Sequence, residues 1–127
     1  MKILIDTHIF LWAITADPRL SSSQRSIYTD ESNDLYFSVA SVWEIPIKAG
    51  LGKLPLPAPA AARLGREMEE NRITPLSIRI SHLTELERLP GLHRDPFDRM
   101  LVAQARTERM PILSADPEIR KYDVTLI

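Results

Sequence analysis

The feature that most limits how this chain can fold is a repeated unit: a short apolar run stops at a polar residue, and a helical pattern takes over. KILI at 2–5 runs into Asp6, LYFS at 35–38 leads into ASVWEI, and PILS at 111–114 is followed by Asp116. Apolar runs this short, without alternation, suit strands buried on both faces, as in parallel sheets. Parallel neighbours need a crossover, and the intervening helices supply one. The order therefore predicts an α/β fold with a mainly parallel central sheet flanked by helices.

Strands are expected at 2–5, 35–38, 73–78, 111–114 and 124–127. Pro75 makes the third of these short or places it at a sheet edge, because proline has no amide to give to a ladder. Helices are expected over 7–13, from Ser21 or Ser22 to about 32, from Ser38 or Ser41 through Lys48 to Gly50, over 60–70, after a cap at Ser81, and from Pro96 to about 110. A helical turn follows at 117–121. Leu83, Leu86 and Leu89 keep helical spacing before Pro90-Gly91, and Phe97, Met100, Leu101, Val102 and Ala105 form the buried side of the Pro96 helix. Pro46 is awkward in the third helix, since it removes a backbone hydrogen bond, and unusual local geometry is expected there.

The 127 residues match one domain, spanning 1–127, large enough to bury a core without staples. With no cysteine there are no disulfides, thiolate zinc sites or thiol nucleophiles, which fits a reducing compartment. The apolar start is interrupted by Asp6 and His8, lacks an A-x-A-type cleavage site and is too short to span a bilayer, so a soluble cytoplasmic protein is expected. A net charge of −1 gives no global basic field, so any contact with nucleic acid has to come from metal ions and local arginines.

Chemistry concentrates in four acids: Asp6, Glu44, Asp98 and Asp116 stand at strand ends or in the first turns of the helices that follow. Strand ends of an open α/β sheet face one crevice, so these acids can meet in space. Clustered carboxylates repel unless a hard cation neutralises them, and an oxygen-rich site suits Mg²⁺ or Mn²⁺. Taken singly, Asp6, Asp116 and Asp95 are each explained as helix caps, and Asp98 by the helix dipole. Glu44, set among Val42, Trp43, Ile45 and Ile47, needs a partner, and a cation would serve.

ILIDTHIFLW, SVASVWEIPIK, HRDPFDRMLVAQA and PILSAD together resemble the acidic motifs of PIN-domain nucleases, in particular VapC-type toxins of toxin–antitoxin pairs. The motifs occur in that family's order and span nearly the whole chain, with HRDPFDRMLVAQA the most specific. The resemblance implies a PIN-like three-layer fold and an Mg²⁺- or Mn²⁺-dependent endoribonuclease, commonly a homodimer, held in check by a cognate antitoxin. It implies that Asp6, Glu44, Asp98 and Asp116 are the metal-site acids, with Asp95 in support. Asp6 and Asp98 would hold the main ion, Glu44 and Asp116 would complete its surroundings, and Thr7 and Ser114 would orient the acids by hydrogen bonding. Water would attack in line, leaving a 5′-phosphate and a 3′-hydroxyl.

Arg94 and Arg99 flank the start of the Pro96 helix and are candidate RNA contacts; Lys48 and Lys53 fit equally well as solvated charges. His8, His82 and His93 do not form a zinc pattern, and Trp12 and Trp43 read as core aromatics. Other classes fit less well. A receiver-type domain would need an acidic pair after the first strand, and G-x-S-x-G, G-x-G-x-x-G and a P-loop are absent from the sequence. A non-catalytic PIN-like interaction domain and a metal-dependent nuclease acting on DNA remain the alternatives.

Overall fold

In the computed structural model, which describes residues 1–54, 56–92 and 95–127, β1 (Lys2–Ile5) lies inside a four-stranded parallel sheet. The strand order is β3-β2-β1-β4, where β2 is Asp34–Ser38, β3 is Thr74–Leu76 and β4 is Ile112–Leu113. Helices fill every crossover. α1 (Thr7–Ile14) and α2 (Ser22–Thr29) lead to β2, α3 (Val39–Gly50) and α4 (Ala60–Glu70) to β3, and α5 (Ile80–Arg88) and α6 (Pro96–Glu108) to β4.

The apolar runs are continuous because both faces of the sheet are covered. Successive strand side chains point to opposite faces, so Ile3 and Ile5 join Phe10, Phe37, Ile45 and Leu64 in one core cluster. Leu4 enters a second cluster with Leu101, Val102, Ile112 and Ile119. Six consecutive residues of α6, Met100 to Ala105, are buried, more than a single stripe. Phe97, expected on that stripe, is half-buried.

Several boundaries differ from expectation for identifiable reasons. β3 is an edge strand of three residues centred on Pro75, where a missing amide does least harm. The expected strand at 124–127 reduces to one bridge, Ile112 to Leu126. α2 stops at Thr29, and α6 stops at Glu108 because Arg109 turns left-handed, with φ of 56°. Pro46 sits inside an unbroken α3, whose cap is Ser38: its Oγ accepts from the Ala40 amide at 3.1 Å. Trp43 is 63% exposed and stands edge-on to Phe97, with ring centroids 5.4 Å apart, rather than in the core. Trp12 is half-buried, with the Arg19 guanidinium 5.1 Å from its ring. Among the described residues, no helix is long and apolar enough to cross a membrane.

The start of α5 shows what displaced the expected cap. Ser81 lies inside the helix, while the ring of buried His82 takes up the amide of the capping residue Arg79 at Nδ1, 3.0 Å away. That leaves the proton on Nε2, which donates to Glu108 Oε1 at 2.8 Å and ties the start of α5 to the end of α6. Replacing His82 with alanine strands the Arg79 amide and opens a cavity, and should destabilise the fold by about 2–4 kcal/mol. Urea denaturation of the variant beside the wild type measures this.

Candidate active site

Ile5 pairs with Phe37 on one side and Leu113 on the other, so Asp6, Ser38 and Ser114 leave the sheet at one level. The chain builds outward from β1 through β2 to β3, then crosses to add β4 on the opposite side. Above β1 and β4 the strand order reverses, and this is where open α/β sheets form a ligand crevice.

Asp6 occupies that point and is 2% exposed. Its Oδ1 caps α1 by accepting the His8 amide at 2.6 Å, and its Oδ2 accepts the Ser114 hydroxyl proton. Burial nevertheless pushes its pKa above the ordinary carboxylate value, and the negative charge of Asp116 adds to that push. Ser114 also accepts the Asp116 amide at 3.0 Å, while Asp116 Oδ1 caps the next turn through the Glu118 amide at 2.9 Å.

The other half of the site is built on α3 and α6. Glu44 is 2% exposed, and Thr7, the residue after Asp6, donates its hydroxyl to Oε1 at 2.7 Å. The Lys48 ammonium, one turn along α3, bonds Glu44 Oε2 and reaches Asp95 Oδ2 at 3.2 Å. Asp95 uses its second oxygen to cap α6 through the Phe97 amide at 2.9 Å. Burial by itself would raise Asp95, but Lys48 and the amides of Phe97 and Asp98 outweigh it and hold the carboxyl below its usual pKa. Burial would likewise lower Lys48, yet Glu44 and Asp95 prevail and raise it. Asp98 is half-buried in the first turn of α6, where the helix dipole favours a negative charge.

The acids thus reach one end of the sheet as two linked halves: Asp6 with Ser114 and Asp116, and Glu44 with Lys48 and Asp95. Among the described residues, no three carboxylate or imidazole groups stand close enough to share one ion as the side chains lie. The donors themselves are carboxylate and hydroxyl oxygens, which fit a hard divalent cation. Such an ion would relieve both costs seen at Asp6, its burial and its like-charged neighbour.

The basic candidates fare differently. Arg94 lies outside the described residues, as does His93. Arg99 donates to the Pro90 carbonyl at 2.9 Å and to the Leu86 and Leu89 carbonyls at 3.5 Å, so it anchors the end of α5. Lys53 is exposed, whereas Lys48, expected as a solvated charge, is held between two acids. The signal for Lys48 was its spacing of four residues from Glu44, with the acid on the N-terminal side. A cleft of about 750 Å³ near Met1, Arg106, Arg109 and Pro111 contains none of the site acids.

Residues 3–124 match the model of the PIN domain. Ribonuclease VapC16 of Mycobacterium tuberculosis (strain ATCC 25618 / H37Rv) is 39% identical over 69 residues, covering 51% of this chain and 49% of that protein. The chain thus spans about half the length of this relative. The fold is similar to VapBC2 from Rickettsia felis bound to a DNA fragment from its promoter, with a TM-score of 0.72 and 14% identity over 99% of this chain and 96% of the other. It is also similar to VapBC-1 from nontypeable Haemophilus influenzae, with a TM-score of 0.70 and 16% identity over 100% and 97% of the two chains.

The state of Asp6 yields a direct test. A carboxyl whose folded pKa lies above its unfolded value favours the fold at low pH, and that contribution is lost as pH rises through the folded value. Asp6→Asn should therefore melt higher than the wild type in EDTA at pH 7, the gap narrowing as the pH is lowered. The same variant should lose the rise in Tm that Mg²⁺ gives the wild type. Thermal melts across pH, with and without the metal, read both effects.

Proposed function

Because the chain belongs to the PIN-domain family, we propose that it is a divalent-metal-dependent endoribonuclease and the toxin of a toxin–antitoxin pair. The observation that carries this reading is buried Asp6 at the point where strand order reverses, hydrogen-bonded to Ser114, whose hydroxyl oxygen in turn accepts the Asp116 amide. The partial match to a ribonuclease and the fold shared with VapBC complexes support it. Residues 1–127 form one such domain, acting in the cytoplasm as a homodimer that a cognate antitoxin inhibits.

Asp6, Asp98 and Asp116 would hold Mg²⁺ or Mn²⁺, with Glu44 beside them. When bound, the cation lowers the pKa of water and offsets negative charge on the phosphate. The protein's own groups prepare the site. Ser114 fixes one oxygen of Asp6 and the backbone of Asp116 together, so the two acids keep their spacing. Thr7 turns the Glu44 carboxylate by holding Oε1. Lys48 joins Glu44 to Asp95, and Asp95 fixes the first turn of α6, on which Asp98 stands. Attack of water on phosphorus, with the 3′-oxygen leaving, gives a 5′-phosphate and a 3′-hydroxyl.

Exposed Trp43, adjoining Glu44 in sequence and braced by Phe97, offers a flat apolar surface beside the acids on which a base can stack. Trp43→Ala should raise KM for RNA about 5- to 150-fold with little change in kcat, since a stacked base is worth about 1–3 kcal/mol.

Incubation with total RNA in Mg²⁺ or Mn²⁺, followed by mapping of the ends, tests the main reading. Cleavage should require the metal and fall about 100-fold or more in Asp98→Ala, with the fold retained. Cleavage of DNA but not RNA would reassign the substrate. Inactivity on both polymers, together with no thermal response to either metal, would leave a non-catalytic interaction domain.

A further inference from the structure

A second exposed ring stands at the crevice besides Trp43. His8 follows Asp6 by two residues, in the first turn of α1, and its side chain is 52% exposed. Its Nδ1 lies 3.8 Å from Asp6 Oδ1, beyond ordinary hydrogen-bonding distance, so the ring stands beside the acid without being hydrogen-bonded to it. One turn along the same face of α1 comes Trp12, its ring centroid 6.0 Å from that of His8 and the two planes at 51°. Trp12 is itself held in place. It packs against the core, and the Arg19 guanidinium, tied to Asp17 at 2.7 Å, lies 5.1 Å from its ring.

Resting on the endoribonuclease reading above, we propose that His8 is a second base-stacking residue, so that an RNA strand lying across the acids sets one base on Trp43 and another on His8.

The argument is one of placement and charge. The two rings belong to the two halves of the crevice: Trp43 precedes Glu44 on α3 and is braced by Phe97 of α6, whereas His8 follows Asp6 on α1 and is braced by Trp12. Each is an exposed ring backed by another ring. Such backing restricts the rotamer beforehand and reduces the entropy lost when a base settles on it. The Thr7 hydroxyl, bonded to Glu44 Oε1 at 2.7 Å, ties together the two helices that carry the rings. Charge also favours stacking. The chain has a net charge of −1, Lys48 is bonded to two acids, and Arg99 is bonded to backbone carbonyls. A polyanion gains little from cations already engaged, whereas every base has a face that a ring can cover. Support of α1 does not call for the imidazole, because the cap is completed by the backbone amide of His8 on Asp6 Oδ1, and any residue but proline supplies that amide.

The experiment uses the full chain with Mg²⁺ and a short RNA containing one mapped cleavage site, prepared with an abasic nucleotide at each position around the cut in turn. For the wild type, base loss at two positions should raise KM, each by about 5- to 150-fold. His8→Ala should raise KM for the intact RNA over the same range with kcat nearly unchanged, and should make one of those positions insensitive to base loss. Trp43→Ala should silence the other. His8→Phe keeps a flat ring and should bring KM back close to the wild-type value. A wild-type KM in His8→Ala overturns the proposal, and so does a His8→Phe as weak as His8→Ala, which assigns the effect to the imidazole nitrogens. A fall in kcat at unchanged KM places His8 with the acids and overturns it as well. Should His8→Ala not fold, His8→Gln, which also lacks a ring, is read in the same way. A wild type that cleaves no RNA removes the nuclease reading and this inference with it, whereas one that cleaves with the same KM whichever base is missing removes this inference alone.

Discussion

Parallel pairing of β1 with both β2 and β4 is the constraint on which the rest of the molecule depends. It buries β1 on both faces, which requires the continuous apolar run, and it delivers Asp6, Ser38 and Ser114 to one level at the end of the sheet. A buried carboxylate follows from that placement. The structure meets the cost with two hydrogen bonds to Asp6 and still leaves its proton held more tightly than in water. A site that is costly without a ligand is one where a ligand has something to gain.

From sequence alone, helix capping and site chemistry compete as explanations for the acids. At Asp6 and Asp95 the helix cap and the contact across the crevice are divided between the two oxygens of one carboxyl group. In each, Oδ1 accepts an amide two residues ahead and starts a helix, while Oδ2 reaches across the crevice to Ser114 or Lys48. The backbone bond fixes the side-chain rotamer, and the fixed rotamer aims the second oxygen. Asp116 caps its turn in the same way, through the Glu118 amide.

Much of this was legible in the sequence because it depends on local pattern. The alternation of strand and helix, the edge position of Pro75 and the place of Asp6 at the end of β1 follow from periodicity, proline chemistry and parallel topology. What was not legible depends on packing between distant elements. Lys48 reads as an ordinary helix cation until α6 brings Asp95 against it. Arg99 reads as a phosphate contact until the end of α5 supplies carbonyls. Ser81 is the better cap by propensity, but His82 held by Glu108 from another helix starts α5 elsewhere. The final residues have strand composition, yet they meet β4 through a single bridge.

Pro46 gives the Glu44–Lys48 pair a second significance. With no amide at position 46, the carbonyl of Val42 loses its usual partner within α3, and that rung of the helix has no backbone hydrogen bond to hold it. The ion pair spans the same turn on the helix exterior, running from residue 44 to residue 48. It works as an outside brace over a missing crosspiece. Whatever loosens Lys48 therefore also softens the rod on which Glu44 is mounted, and charge and stiffness at this edge of the crevice change together.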